Sequence, residues 1–202
     1  MAAVVVAITG GVASGKSAVC RCFQRLGITI ADADRQARAI VAPGQPALAE
    51  IRARFGDDVL LSDGQLDRAR LRELIFSDPA AKRDLESITH PRIRAALKAE
   101  CEQAAGPYAI ADIPLLAESG VRTSYPWLQR ILVVDAPVAM QRARLISRDG
   151  IDAGLAGRMI AAQASREQRL ALASDVLIND AAVEDLDTPV RRLDAAFREL
   201  AG

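Results

Sequence analysis

With 202 residues, 50% of them hydrophobic and 26% charged, the chain has the balance of one folded globular domain, not of a disordered segment. Lys+Arg and Asp+Glu both total 26, which leaves no net positive field for a nucleic acid, and the apolar runs fall far short of a membrane span; a cytoplasmic protein with no nucleic acid and no membrane partner is expected. Cys20, Cys22 and Cys101 form no C-x-x-C pair, so neither a disulfide framework nor a zinc site is indicated and three buried thiols are expected.

The apolar, β-branched run Val4 to Ile8 lacks polar alternation, as suits a strand buried on both faces of a parallel sheet. It leads into a G-x-x-x-x-G-K-S sequence, Gly10-Gly11-Val12-Ala13-Ser14-Gly15-Lys16-Ser17. The three glycines can reach backbone angles that other residues avoid, so consecutive N–H groups can turn inward around phosphate oxygens at the start of a helix. Lys16 would reach the β- and γ-phosphates and the Ser17 hydroxyl would hold Mg²⁺. A helix over Ala18 to Leu26 is predicted to end at Gly27.

Ile28 to Ala31 reads as a second strand running into Asp32-Ala33-Asp34, where an extended chain would put both carboxylates on one face. Either could take the proton of an attacking hydroxyl, or cap the helix expected from Arg35 to Val41. Pro43-Gly44 breaks that helix, and further helices are expected over Pro46 to Phe55, around Leu71, Leu74 and Ile75, and twice between Ala80 and Ala105. The break between the last two is placed at His90-Pro91, because proline pushes the residue before it out of helical geometry. So long a helical stretch before the next strand predicts an inserted subdomain, residues 35–106, that holds a second substrate. His90, the only histidine, could contact that substrate or serve only as a hydrogen-bonded structural residue.

Tyr108 to Ile113 is a third buried strand, and Asp112 at its end could assist Mg²⁺ as a Walker B aspartate does, or orient Ser17 or the substrate. Glu118 in the next turn could contact the acceptor or face solvent. Arg130 to Val134 is a fourth strand. In the following helix Arg144 and Arg148 share a face, and the sequence near Gly150, Gly154 and Gly157 looks loose enough to move. A lid over residues 140–162 would close on the phosphates, the alternative being a solvated helix face that pairs with Asp149 and Asp152. Val176 to Ile178 is the fifth strand; Asn179-Asp180 after it could lie against an adenine ring, and a terminal helix runs through Leu193, Phe197 and Leu200.

In this order the motifs resemble the dephospho-coenzyme A kinase family over nearly the whole chain. The loop Thr9 to Ser17, Asp32-Ala33-Asp34 with Ala37-Arg38, the stretch Asp67-Arg68 to Ile75-Phe76, His90-Pro91, Pro114-Leu115-Leu116, and Arg144, Arg148, Gln163 and Arg166 carry the likeness. It implies a three-layer α/β P-loop kinase fold with a five-stranded parallel sheet, a helical substrate subdomain and a lid. It further implies transfer of the ATP γ-phosphate, with Mg²⁺, to the ribose 3′-hydroxyl of dephospho-coenzyme A, by a monomer or weak homo-oligomer. Lys16, Asp34 as base and Arg144 as lid arginine would be catalytic. Gly11, Val12, Ala13, Ser14, Gly15, Lys16, Ser17, Arg148 and Asn179 would bind nucleotide, and Ser17 and Asp112 the metal. Thr9, Asp32, Asp34, Arg38 and His90 would bind the acceptor, together with Pro114, Leu115, Leu116 and Glu118. At Ala13 and Ala181 the chain departs from the family, which commonly has glycine there.

A kinase for another small molecule shares the loop and the lid, and an acceptor screen separates the two. A GTP switch would carry Asn-Lys-x-Asp, whereas the only asparagine, Asn179, precedes aspartate.

Overall fold

The seven residues of β1 (Val4–Gly10) are all buried, as an unalternated apolar run requires in a strand covered on both faces. In the computed structural model, which describes residues 2–180 and 186–202 with the side chain of Arg122 excepted, β1 is the centre of a five-stranded parallel sheet of order β2-β3-β1-β4-β5. The other strands are β2 (Ile30–Asp32), β3 (Tyr108–Asp112), β4 (Arg130–Asp135) and β5 (Asp175–Ile178). Val6 is in register with Ile110 on one side, and Ile8 with Leu132 on the other. Helices α1 (Lys16–Arg25) and α10 (Asp187–Leu200) supply Phe23 and Phe197 to the core, their rings 6.3 Å apart, with Tyr108 edge-on to Phe197 at 5.5 Å. All three cysteines are buried thiols, as expected. Among the described residues no helix is long and apolar enough to cross a membrane.

The chain forms two compact units, Met1–Ala31 with Lys98–Gly202, and Asp32–Leu97. The second is helical: α2 (Ala33–Ala39), α3 (Pro46–Phe55), a 3₁₀ turn (Asp57–Val59), α4 (Arg68–Ser77) and the first part of α5 (Pro79–Gln103). Val41, Ala47, Ile51, Val59 and Leu71 make its own core. The polar turn near Ser62-Asp63-Gly64 is closed by an antiparallel bridge between Leu60 and Leu66, and the Asp67 carboxylate caps α4 through the N–H groups of Ala69 and Arg70, at 3.0 and 2.9 Å.

Three expectations are corrected. No break occurs at His90-Pro91: α5 runs through it, with Pro91 inside the helix. Proline has no N–H for the Ser87 carbonyl, but side chains satisfy neighbouring carbonyls, Arg92 Nη1 donating to Ile88 at 2.6 Å and Thr89 Oγ1 to Leu85 at 2.8 Å. Asp32 and Asp34 do not lie along an extended chain, because α2 begins at Ala33. Finally, the glycines do not open the chain there: Gly154 and Gly157 lie inside α8 (Ala153–Ala161), which Asp152 caps through Leu155 N–H at 2.8 Å and which buries Ala156.

Candidate active site

The loop leaves β1 at Gly10 and enters α1 at Lys16. Its glycines work differently from the expectation. Only Gly15 has a positive φ, +94°; Gly10 is required by space, and Gly11 is closely approached by two side-chain ends. A Cβ on Gly10 would come within 2.5 Å of the Val134 carbonyl, and one on Gly11 within 2.5 Å of Gln141 Nε2 and 2.8 Å of Arg169 Nη2. Ala13 is the one described non-glycine residue with a positive φ, +56°, so the loop places an ordinary side chain where glycine is cheaper.

At the foot of the loop the Lys16 ammonium is paired with Asp112 Oδ1, and Cys20 Sγ lies 3.7 Å from Asp112 Oδ2. Asp112 is 8% exposed at the end of β3. Thr9 Oγ1 donates to the Pro114 carbonyl at 3.1 Å, joining β1 to the turn that carries Leu115, which is half exposed, and Leu116, which is buried. Ser17 is exposed in the first turn of α1.

On the other side, α7 (Val138–Asp149), α9 (Arg166–Leu172) and the end of β5 hold the loop. Arg144 donates to the Ser14 carbonyl at 3.3 Å and to the Asn179 carbonyl and Oδ1 at 3.3 and 3.4 Å, while Asn179 Nδ2 donates to the Ser14 carbonyl at 2.7 Å. The Asn179 side chain is thus turned to the loop. Val12 N–H donates to Gln163 Oε1 at 2.7 Å, and Ala164 N–H to Glu118 Oε1 at 2.9 Å. Glu118 therefore fixes the segment between α8 and α9. Arg148 turns to Asp149, with bonds of 2.7 and 2.8 Å; that hydrogen-bonded guanidinium holds the Asp149 carboxyl below the usual range. The solvent-side alternative is the one seen for Arg148.

In the helical unit, Asp32 is the cap: its Oδ1 accepts from the N–H groups of Asp34 and Arg35 at 2.8 and 3.2 Å. The Asp34 carboxylate takes no part in that cap and is exposed, as are Arg38 and His90. Ala181 lies outside the described residues.

Two residues of this region escaped the sequence reading. Asp135, 3% exposed at the end of β4, receives Arg166 through three bonds of 2.6 to 3.0 Å. Its signal was its place: it ends a buried strand as Asp112 does. Gln141, buried beside Gly11, had no such signal.

A profile of the family described as dephospho-CoA kinase matches residues 4–185. The chain belongs to the dephospho-CoA kinase family. It is 55% identical to the dephospho-CoA kinase of Xanthomonas campestris pv. campestris (strain 8004) over 194 residues, 96% of this chain and 93% of that protein. Among solved structures, TT1252 from Thermus thermophilus is 31% identical, covers 100% of both chains and superposes with a TM-score of 0.80. A dephospho-CoA kinase from Campylobacter jejuni, 24% identical over 96% of this chain and 97% of its own, shares the fold with a TM-score of 0.71. The activity that names the family is a phosphoryl transfer.

Proposed function

We propose that this chain transfers the γ-phosphate of ATP to the ribose 3′-hydroxyl of dephospho-CoA, completing coenzyme A. The observation that supports it best is the Lys16–Asp112 pair at the foot of a glycine-bearing loop that opens a helix at the carboxyl edge of the sheet, in a chain of this family. Residues Gly11 to Ser17 hold the triphosphate through their N–H groups, and Lys16 offsets charge on the γ-phosphoryl oxygens. The acceptor 3′-oxygen bonds to the γ-phosphorus, its proton passes to the Asp34 carboxylate, and the bond to the β–γ bridging oxygen breaks to release ADP. Arg144, together with residues 140–162 acting as a lid, stabilises the charge on the transferring group and excludes water. Helices of residues 35–106 hold the acceptor, with Thr9, Asp32, Arg38, His90, Pro114, Leu115, Leu116 and Glu118 as its contacts.

Mg²⁺, held beside the Ser17 hydroxyl and the Asp112 carboxylate, would neutralise part of the triphosphate charge. The donor set fits a metal held mainly by the nucleotide: the Ser17 hydroxyl and the Asp112 carboxylate are hard oxygen ligands, and no group of three or more His, Cys, Asp or Glu capable of caging an ion exists among the described residues.

The test is turnover of dephospho-CoA with ATP and Mg²⁺, locating the new phosphate by phosphorus and proton NMR. A 3′-phosphate is expected. Phosphate at another position, or transfer only to unrelated alcohols, would overturn the reading.

A further inference from the structure

We infer that Asn179 is a positioning residue that sets the direction of a phosphate-binding N–H, a role that rests on the phosphoryl-transfer reading and goes beyond it. Its backbone is fixed first: Asn179 N–H donates to the Asp135 carbonyl at 2.7 Å, which ties the end of β5 to the end of β4. Its side chain, in a residue only 2% exposed, is then aimed at the loop. Nδ2 donates to the Ser14 carbonyl at 2.7 Å, and Arg144 reaches the same carbonyl at 3.3 Å while donating to Asn179 Oδ1 at 3.4 Å. Two side chains thus hold one carbonyl, and one of them orients the other.

The consequence lies in the peptide plane. The Ser14–Gly15 bond is trans, so its C=O and N–H point in opposite directions. With the Ser14 carbonyl held toward Asn179 and Arg144, the Gly15 N–H is directed away from them. That N–H belongs to the run of donors at the start of α1 that receives phosphate oxygens. Gly15 also leaves the room for this: a Cβ there would overlap Asn179 Nδ2. Asn179 therefore acts on the phosphates through the main chain, with no contact to the base.

The experiment compares wild type with Asn179→Asp, which keeps the volume but removes the donor, and Asn179→Ala, which remains readable if the aspartate variant does not fold. Two readouts are used: kcat/KM with ATP and with GTP as donors, and direct binding of inorganic tripolyphosphate by calorimetry, which needs neither base nor acceptor. Losing one well-placed buried donor is expected to weaken tripolyphosphate binding about tenfold to a hundredfold and to lower kcat/KM for both nucleotides by the same factor. The ATP-to-GTP ratio should stay within about twofold of wild type, since no base contact is removed. A ratio that collapses while tripolyphosphate binding is unchanged would make Asn179 a base contact and overturn the inference. So would a lowered melting temperature with both readouts unaltered, which is the mark of a purely structural residue. Failure of the wild-type enzyme to phosphorylate dephospho-CoA strikes the functional reading alone, because tripolyphosphate binding is measured without turnover.

Discussion

The ammonium of Lys16 rests on the carboxylate of Asp112, residues 96 positions apart that meet because β1 and β3 are neighbours in the sheet. Both side chains are largely enclosed, 15% and 12% exposed, so neither charge is comfortable without the other. Asp112→Asn removes the negative partner and leaves Lys16 free to adopt other rotamers. The expected result is a loss of about 2 to 3 kcal/mol in folding stability and a fall of about tenfold or more in kcat/KM for ATP. Denaturant unfolding and steady-state kinetics measure the two; unchanged values in both would show that the pair is incidental.

Asp34 sits in the first turn of α2, and the capping work there is done by Asp32. The two carboxylates therefore separate by role under substitution. Asp34→Asn should lower kcat by about 10²- to 10⁴-fold with little change in ATP affinity, as loss of a general base does. Asp32→Ala should cost about 1 kcal/mol of stability through the lost cap. Near-normal turnover in Asp34→Asn would remove it as the base.

How far this was readable before any coordinates follows from the range of the interactions. The loop is local: a buried strand, a glycine-bearing turn and a helix lie within residues 4 to 25, and each shows in residue type alone. The strands were legible because an unalternated apolar run has few other fates. The clamp on the loop was not, because Gln163 meets Val12 across 151 positions and Asn179 meets Ser14 across 165, and neither distance leaves a periodic trace. The local rule at His90-Pro91 failed for a related reason: α5 continues through Pro91, and side-chain donors within it bond the carbonyls of Ile88 and Leu85 on either side of the one that proline cannot serve.

Ala13 holds φ +56° inside the loop, a conformation that costs an L-residue about 1 to 2 kcal/mol. Glycine removes that strain but adds about 0.4 to 1 kcal/mol of freedom to the unfolded chain. Ala13→Gly is therefore expected to stabilise by about 0.5 to 1 kcal/mol, a rise of about 1 to 4 °C in Tm, with turnover retained. Differential scanning calorimetry decides it; a fall in Tm would mean that the Ala13 methyl makes packing contacts worth more than the strain.

Cys101 is fully buried in α5, and that burial pushes its thiol from 9.0 up to about 12. The folded protein then keeps a proton that the unfolded chain loses, so this contribution to stability is complete below pH 9 and disappears as pH rises toward 12. Two results are expected: no reaction of Cys101 with a thiol reagent at pH 8 without unfolding, and a shallower alkaline loss of stability in Cys101→Ala than in wild type. Equal slopes for the two proteins between pH 9 and pH 11 would place the alkaline transition elsewhere.

Arg166 closes on Asp135 with three hydrogen bonds, yet the two ends differ: the arginine side chain is 46% exposed and the aspartate 3%. Removing the arginine leaves a carboxylate enclosed at the end of β4, beside the backbone bond that holds Asn179. Arg166→Ala should therefore destabilise, by less than a fully enclosed pair would lose because water reaches the vacated place. It should also weaken ATP binding, since the Asp135 carbonyl anchors the residue that orients Ser14. Asp135→Asn in the same chain removes the stranded charge, so the double variant should recover most of the stability. Urea unfolding of the two singles and the double gives the coupling directly. If the losses simply add, the charge on Asp135 is satisfied by some other group, and the link from Arg166 through β4 to the phosphate loop does not hold.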